Sequence, residues 1–214
     1  RKVIMACAVV FGASLVFNNA DDPNSQNNFI RNALEVIDLS RYRSGEKING
    51  EFVPYSRQEA RFQHIAEGQV WRLITPVFVH GSSTGEAGDF LMAFIHIFFN
   101  MYWLYWLGTL MEVRFGLKTY FVLFFVSAIA SVLVPLLTPE TGLLGIRGLQ
   151  GGPVVGMSGV VYAVIGFGWC KMRLQPSVGM LVPPFVLMIA MIWLGFGIFM
   201  STGSEGVSHL THLV

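Results

Sequence analysis

Polar side chains that can perform acyl-transfer chemistry stand inside very apolar stretches of this sequence. Ser158 follows a glycine-rich stretch, and His96 and Asn100 lie four residues apart, hence on one face of a helix. His209 and His212 lie in the last apolar run. Polar groups are costly in a membrane span, so each of these residues requires a structural or a functional reason.

Ser158 combines a hydroxyl nucleophile with nearby backbone donors. Glycines and Pro153 make the approach to Ser158 irregular, and an apolar helix follows it. A serine at a helix start lies beside N–H groups that have no intrahelical acceptor and can stabilise an oxyanion. The structural alternative is a helix-capping serine, next to small residues (Gly159 and Ala163) that allow close helix packing.

A serine hydroxyl needs a base, and neutral histidine suits this role near neutral pH. His209 and His212 are both candidates, and no acidic residue stands in the apolar runs that hold Ser158 and these histidines. The residues therefore predict a Ser–His dyad. The alternative for either histidine is a hydrogen bond between helices.

His96 and Asn100 can donate hydrogen bonds to an oxyanion opposite Ser158. The alternative for this pair is polar contact between helices. Ser–His chemistry needs no cofactor, and the isolated Cys7 and Cys170 indicate neither a disulfide framework nor a metal site. We expect no cofactor and no metal.

The composition indicates a membrane protein. Only 13% of the residues are charged and 53% are hydrophobic, whereas soluble domains carry about 25% charged residues. Residues 21–67 hold eight of the 13 acidic and six of the 14 basic residues. A net charge of +1 without a basic stripe argues against nucleic-acid binding.

We expect an all-α, polytopic fold with six spanning helices and one membrane domain over residues 1–214. A long outer loop (19–69) follows the first span, with amphipathic pieces near 29–39 and 58–65. A broken apolar stretch (70–79) and a polar insert (81–89) precede the second span. The spans are predicted at about 3–18, 90–111, 119–137, 157–170, 178–200 and from about 207, the last being truncated at Val214.

Basic residues predict the orientation of the spans. Arg1-Lys2, Arg114 with Lys118, and Lys171 with Arg173 fall at alternate ends of successive spans. The N-terminus and these loops are therefore expected in the cytoplasm, which puts Ser158 near the outer face.

The fifth predicted span contains glycines and no strong polar side chain, and we expect it to act as a lateral gate.

Two sequence blocks resemble the rhomboid family of intramembrane serine proteases. His96-Ile-Phe-Phe-Asn100, continuing to Gly108 and Glu112, resembles the second-span signature of that family, and Gly156-Met-Ser-Gly-Val-Val-Tyr-Ala163 resembles its nucleophile motif. Trp71-Arg72 is similar to the pair that precedes the second span, and Trp193 falls where bacterial relatives carry a tryptophan in the fifth span. The similarity runs from about residue 70 to the C-terminus.

The resemblance implies roles for these residues. Ser158 is the nucleophile, within a motif whose small residues are Gly156 and Gly159. His96, Asn100 and the Ser158 backbone N–H form the oxyanion hole. Tyr162 packs against the catalytic histidine, and Trp193 has a supporting position.

The resemblance also bears on the histidines. The family places its base in a His-x-x-Gly context, and His209 is followed at that spacing by His212 rather than by glycine. The separation of Ser158 and His212 fits the family better, so His212 is the expected base and His209 the alternative. Many members carry a further histidine shortly before the one matching His96, and His80 is the candidate for this ancillary position.

The implied substrates are single-span proteins in the lipid bilayer, cut near the outer face at a helix-destabilised segment. The implied location is a bacterial plasma membrane, and the sequence gives no indication of an oligomeric state. An alternative is a catalytically inactive rhomboid-like protein that binds or traffics membrane proteins. An unrelated transporter would predict an internal repeat, and none is visible.

Overall fold

The computed structural model describes residues 2–16, 33–35, 45–48, 51–54, 57–80, 87–138 and 155–200. These residues form helices and one hairpin. The elements in chain order are α1 (Lys2–Val16), β1 (Gly45–Ile48), β2 (Glu51–Pro54), α2 (Arg57–Ala66), two 3-10 helices (Val70–Leu73 and Thr75–Phe78), α3 (Ala87–Leu137), α4 (Ser158–Leu174), a 3-10 turn (Pro176–Val178) and α5 (Pro184–Met200).

Helix α3 is a helical hairpin rather than one rod. Gly116 has φ 82° and ψ 159°, which interrupts the helix. A Cβ added at Gly108 would lie 3.2 Å from the Tyr120 ring, although twelve residues of continuous helix span about 18 Å. The chain therefore folds back at Gly116 into a first arm (87–115) and a second arm (117–137), in agreement with the two helices predicted there.

The surface of this hairpin is suited to lipid. Ala93–Leu137 is the one helix among the described residues that is long and apolar enough to cross a membrane, and each arm has about the length that a bilayer requires. Large apolar side chains such as Phe94, Phe98, Phe121 and Phe125 are exposed. Soluble proteins rarely expose contiguous apolar surface of this kind. These features indicate a helical membrane protein.

Helix α4 packs against the α3 hairpin and forms the centre of the core. Its buried face includes Val160 and Val164, which join Leu107 and Met111 of the first arm in one apolar cluster. α4 is therefore held between neighbouring helices, and its first residue, Ser158, is positioned by their packing.

The basic loops share one end of the structure. Arg114, at the turn of the α3 hairpin, donates a hydrogen bond to the Val178 carbonyl at 3.2 Å. The Lys171 ammonium lies 5.7 Å from the centre of the Phe115 ring. The hairpin turn and the connection from α4 to α5 thus lie together, as the distribution of basic residues predicts, and Ser158 is at the opposite end of α4.

Residues 33–35 are tied to the segment that precedes α3. Arg72, which is 5% exposed, donates to the Glu35 carbonyl and, at 2.7 Å, to Gln69 Oε1. Thr75 donates to the Leu34 carbonyl at 2.6 Å. Residues 33–35 of the outer loop are therefore bound to the two 3-10 helices through their backbone carbonyls.

The described residues form helices, as predicted, apart from one antiparallel hairpin in the predicted outer loop, in which Gly45 pairs with Pro54 and Ile48 with Glu51. Asn49-Gly50 between these strands is a typical hairpin signal. The fifth helix begins at Pro184 rather than near 178, because proline suits the first turn of a helix.

The broken stretch 70–79 adopts two 3-10 helices. Pro76 in the second one has no N–H to donate to a longer helix. The predicted sixth span lies outside the described residues, so the count of six and the single domain over 1–214 stay predictions. Most of the predicted amphipathic piece at 29–39 also lies outside them.

Candidate active site

Ser158 is the first residue of α4 and is buried, with 9% of its surface exposed. Gly156 precedes it with φ 97°, a backbone conformation that favours glycine. The Val161 N–H donates to the Met157 carbonyl at 3.0 Å, which is the first backbone bond of the helix. The N–H of Ser158 therefore precedes the helical ladder, the position from which a helix presents donors to an anion.

The turn before Ser158 is held by the segment 76–80. The Gly156 N–H donates to the Pro76 carbonyl at 3.0 Å. The Met157 N–H donates to His80 Nε2 at 3.2 Å, in a buried bond that joins residues 77 positions apart. Both amides that precede the serine therefore have acceptors on one distant segment.

His80 has a defined protonation state in this arrangement. It is 4% exposed and lies outside the spanning helices, with Nδ1 3.1 Å from the Phe78 carbonyl. Because a carbonyl only accepts, Nδ1 carries the proton, and Nε2 is the acceptor for Met157. Burial, followed by the adjacent His96, lowers the pKa of His80 to about 3, against the opposing effect of the Phe78 carbonyl. His80 is therefore neutral at physiological pH.

His96 lies beside the same turn. A Cβ added at Gly156 would be 2.8 Å from His96 Cε1 and 3.7 Å from His80 Cδ2. The two imidazole rings meet edge to face, with centroids 5.5 Å apart. The absence of a side chain at Gly156 allows the His96 ring to lie this close to the turn, since a contact below 3.0 Å forces atoms to shift, whereas His80 lies at an ordinary van der Waals distance.

Asn100 lies one helical turn beyond His96 and is 5% exposed. Its Nδ2 donates to the His96 carbonyl at 3.0 Å. A side-chain amide has two N–H donors, so this bond uses one of them and orients the other. The first arm of α3 thus carries His96 beside the turn that leads into α4, and Asn100 lies one helical turn further along the same arm.

Tyr162 connects α4 to α5. Its hydroxyl donates to the Ala190 carbonyl at 2.8 Å. This bond links α4 to a backbone carbonyl of α5 and involves no polar side chain of the fifth span. Trp193, three residues beyond Ala190, is 45% exposed, and Gly159 is buried in the first turn of α4.

The two candidate bases lie outside the described residues. His209 and His212 belong to 201–214, so the predicted contact of either with Ser158, and that of Tyr162 with the base, stay predictions. Among the residues that the structure does describe, no group of three or more metal-binding side chains occurs.

The contact between His80 and Met157 is the part of the site that sequence reasoning missed. The ancillary position of His80 was inferred from resemblance alone. A signal was available, because a histidine at the end of an apolar stretch needs a partner if it is buried. The identity of that partner is not readable from local sequence, because it lies 77 residues away.

Comparisons with known proteins agree on one family. A family model described as the Rhomboid domain matches residues 67–214. The chain is 30% identical over 148 residues to the rhomboid protease GlpG of Serratia proteamaculans (strain 568), a match that covers 68% of this chain and 45% of that protein. The GlpG proteins of Yersinia pestis (strain Pestoides F) and Yersinia pseudotuberculosis serotype O:3 (strain YPIII) match with the same identity and coverage.

The matched region begins just before Trp71-Arg72 and includes α3, α4 and α5, which carry the residues described above. The chain spans a little less than half the length of these relatives. Since the family model covers more than half of the chain, this protein, an integral membrane protein with a helical bundle, belongs to the rhomboid family.

Proposed function

We propose that this protein is an intramembrane serine endopeptidase that cleaves membrane-spanning segments of other proteins with Ser158 and His212. His209 is the alternative base. The observation that carries the proposal is the contact of His96 with Gly156, two residues before Ser158. This contact supports a position for the His96 ring near the buried serine at the start of α4. The rhomboid proteases that the chain resembles support the same activity.

In the proposed reaction, Ser158 Oγ attacks the carbonyl carbon of the scissile peptide while the histidine accepts the hydroxyl proton. The tetrahedral intermediate collapses, the C–N bond breaks, and the histidine returns the proton to the leaving amine. Water then attacks the acyl-enzyme ester with the histidine again as base, and Ser158 regains its proton as the acid product leaves.

The negative charge of the intermediate develops on the carbonyl oxygen. We assign its stabilisation to the Ser158 N–H, the His96 ring and the second Nδ2 hydrogen of Asn100. Removal of one such donor lowers kcat by about 10²- to 10³-fold in a serine protease. Donors in a water-poor site act strongly because little solvent competes with them.

Gly159 and Tyr162 have supporting roles in this proposal. Gly159 leaves room for close packing at the first turn of α4, and Tyr162 packs its ring against the base while its hydroxyl binds the Ala190 carbonyl. Trp193 lies on the exposed face of α5, the helix that we propose as the lateral gate for substrate entry.

The proposed substrates are single-span membrane proteins. A peptide bond in a helix is shielded by its own hydrogen bonds, so the substrate must unwind before Ser158 attacks. We therefore expect cleavage near helix-breaking or small residues. The shared end of Arg114 and Lys171 supports a cytoplasmic position for those loops and an active site near the outer face of a bacterial plasma membrane.

The activity is tested with the full chain in liposomes that contain a single-span substrate with a helix-breaking segment. Ser158→Ala and His212→Ala should abolish cleavage, and Ser158→Ala should abolish labelling by a fluorophosphonate. His209→Ala is the matched histidine control and should retain both. Loss in His209→Ala with retention in His212→Ala would transfer the role of base to His209.

An intact chain that neither cleaves nor reacts with the fluorophosphonate contradicts the protease proposal. Capture of single-span proteins by such an inactive chain, unchanged in Ser158→Ala, would instead indicate the rhomboid-like binding or trafficking factor.

The orientation is tested with single cysteines in a Cys7→Ser, Cys170→Ser background. Gln175 and Glu67 are exposed at the two opposite ends of the structure. A membrane-impermeant maleimide added to intact cells should label Glu67→Cys and not Gln175→Cys. The reverse pattern would contradict the proposed topology.

A further inference from the structure

His80 has no role in the proposed reaction, and it lies between two backbone groups that it links. Its Nδ1–H donates to the Phe78 carbonyl at 3.1 Å, and its Nε2 accepts the Met157 N–H at 3.2 Å. One neutral imidazole therefore links the end of the second 3-10 helix to the turn before Ser158. Protonation of the ring, or the opposite tautomer, removes the acceptor that Met157 requires.

The same segment makes a second hydrogen bond to the turn before Ser158. Gly156 also donates to the Pro76 carbonyl at 3.0 Å, so two consecutive amides are bound by the segment 76–80. Gly156 has φ 97° and no side chain to restrict it. A glycine in this conformation is held by its hydrogen bonds rather than by its intrinsic preference.

The same ring contacts the candidate oxyanion donor. The centroids of the His80 and His96 rings are 5.5 Å apart in an edge-to-face arrangement, and both rings lie within 4 Å of the position that a Cβ on Gly156 would occupy. His80 thus touches the turn on one side and His96 on the other. Displacement of His80 changes the position of the Ser158 backbone and of His96 together.

We propose that His80 is a positioning residue that, as a neutral Nδ1–H imidazole, holds the Met157 amide and the His96 ring and thereby sets the geometry of the oxyanion hole. This inference rests on the proposed function of Ser158. His80 does not touch the substrate, and its contribution is made through Met157 and His96. A misplacement of about 1 Å costs about 100-fold in rate.

The test compares two substitutions at His80. His80→Phe replaces the imidazole by an aromatic ring without nitrogen and so removes both polar contacts. His80→Gln restores an oxygen near the position of Nε2 that can accept the Met157 N–H. We expect His80→Phe to lower kcat and the rate of fluorophosphonate labelling by about 10- to 100-fold, with KM changed by less than about twofold. We expect His80→Gln to recover at least a third of that loss, measured as the logarithm of the rate.

His64→Phe is the matched control for a histidine that is merely buried. His64 is 3% exposed and lies on α2, where it contacts Glu67 and Gln69. We expect a lower melting temperature for His64→Phe and an unchanged labelling rate. Equal labelling rates in His80→Phe and the intact chain would overturn the proposal, and so would a loss in His80→Phe that His80→Gln does not recover.

A measurement without activity separates this inference from the protease proposal. Nitrogen NMR of the chain with labelled histidine should show His80 with a protonated Nδ1 and an unprotonated Nε2 at neutral pH. A proton on Nε2 would overturn the role of His80 even in an active enzyme. If the chain shows the expected tautomer but is not labelled by fluorophosphonate, the link between His80 and Met157 is supported and only the protease proposal is contradicted.

Discussion

Buried polar groups bond differently in the second arm of α3 (117–137) and in the turn before α4 (155–157), which is called the junction below. In the second arm, the Ser127 hydroxyl donates to the Leu123 carbonyl at 2.7 Å and Ser131 to the Ala128 carbonyl at 2.8 Å, both within their own helix. At the junction, the polar contact of His80 with Met157 crosses between distant segments. Both regions are largely apolar, and both bury polar groups.

The difference shows how to separate structural from functional polar residues in such a chain. A hydroxyl that bonds to its own helix satisfies itself and needs no neighbour. A polar group that reaches another segment constrains the relative position of the two segments, which a catalytic site requires and a spanning helix alone does not. The hydrogen bond of Asn100 to the His96 carbonyl is of the first kind because it stays within one helix, and the contact of Asn100 with an oxyanion is part of the proposed function.

The largest effect outside the dyad is expected at Asn100. Asn100→Ala should lower kcat by about 10²- to 10³-fold, because it removes a donor to the developing oxyanion. Ser131→Ala is the control from the second arm and should leave kcat within about twofold and stability nearly unchanged, because the hydroxyl bonds within its own helix. Steady-state cleavage in liposomes measures both, and equal losses in the two variants would invalidate the distinction between the regions.

Gly156→Ala should lower kcat by about 100-fold, because the added Cβ would be 2.8 Å from His96 Cε1 and would displace that ring. Gly179 has φ 69° with no atom within 4 Å of an added Cβ, so Gly179→Ala tests the backbone effect alone. It should cost about 1 kcal/mol of stability and leave cleavage intact. Full cleavage by Gly156→Ala would show that the His96 contact has no role in the reaction.

Acid sensitivity tests the neutral state of His80. Its pKa falls from an ordinary value of 6.5 to about 3 in the folded protein. Between pH 6.5 and 3, this histidine is therefore protonated in the unfolded chain and neutral in the folded one. The free energy of unfolding falls in that range by about 1.4 kcal/mol for each unit by which the pH decreases. Above pH 6.5 this residue contributes no pH dependence.

The measurement is the free energy of unfolding in mixed micelles at pH 7.5, 6 and 5 for the intact chain and for His80→Gln. The variant should have the shallower slope because it lacks the titrating ring. Parallel slopes would mean that His80 is charged in the folded protein or exposed to water, contrary to the burial in the structure.

Tyr162→Phe should have the smallest effect. It keeps the ring and removes the hydrogen bond to the Ala190 carbonyl, which should lower stability by about 0.6 kcal/mol. If α5 moves to admit substrate, loss of this link should raise the cleavage rate in liposomes by about twofold. Fluorophosphonate labelling should change less, since a small reagent needs less movement, and a decrease in cleavage would contradict a restraining role.

Several features of the fold follow from sequence patterns that act over short distances. The two arms of α3 could be predicted because each is an apolar run of spanning length, and because the turn between them contains Arg114 and Gly116. The start of α4 at Ser158 is readable because glycines and Pro153 precede an apolar helix. The pairing of 45–48 with 51–54 was not predicted, although Asn49-Gly50 is a typical hairpin signal, because each strand has only four residues.

The sequence by itself determined the membrane environment, the candidate nucleophile and the face shared by His96 and Asn100, since composition and helical periodicity are local properties. Only the tertiary structure decided which groups contact the turn before Ser158. The fit of His96 against Gly156 and the bond from Met157 to His80 depend on the packing of segments about 60 to 77 residues apart. No local pattern specifies such contacts, because many partners satisfy the same polar group and only the packed bundle selects one.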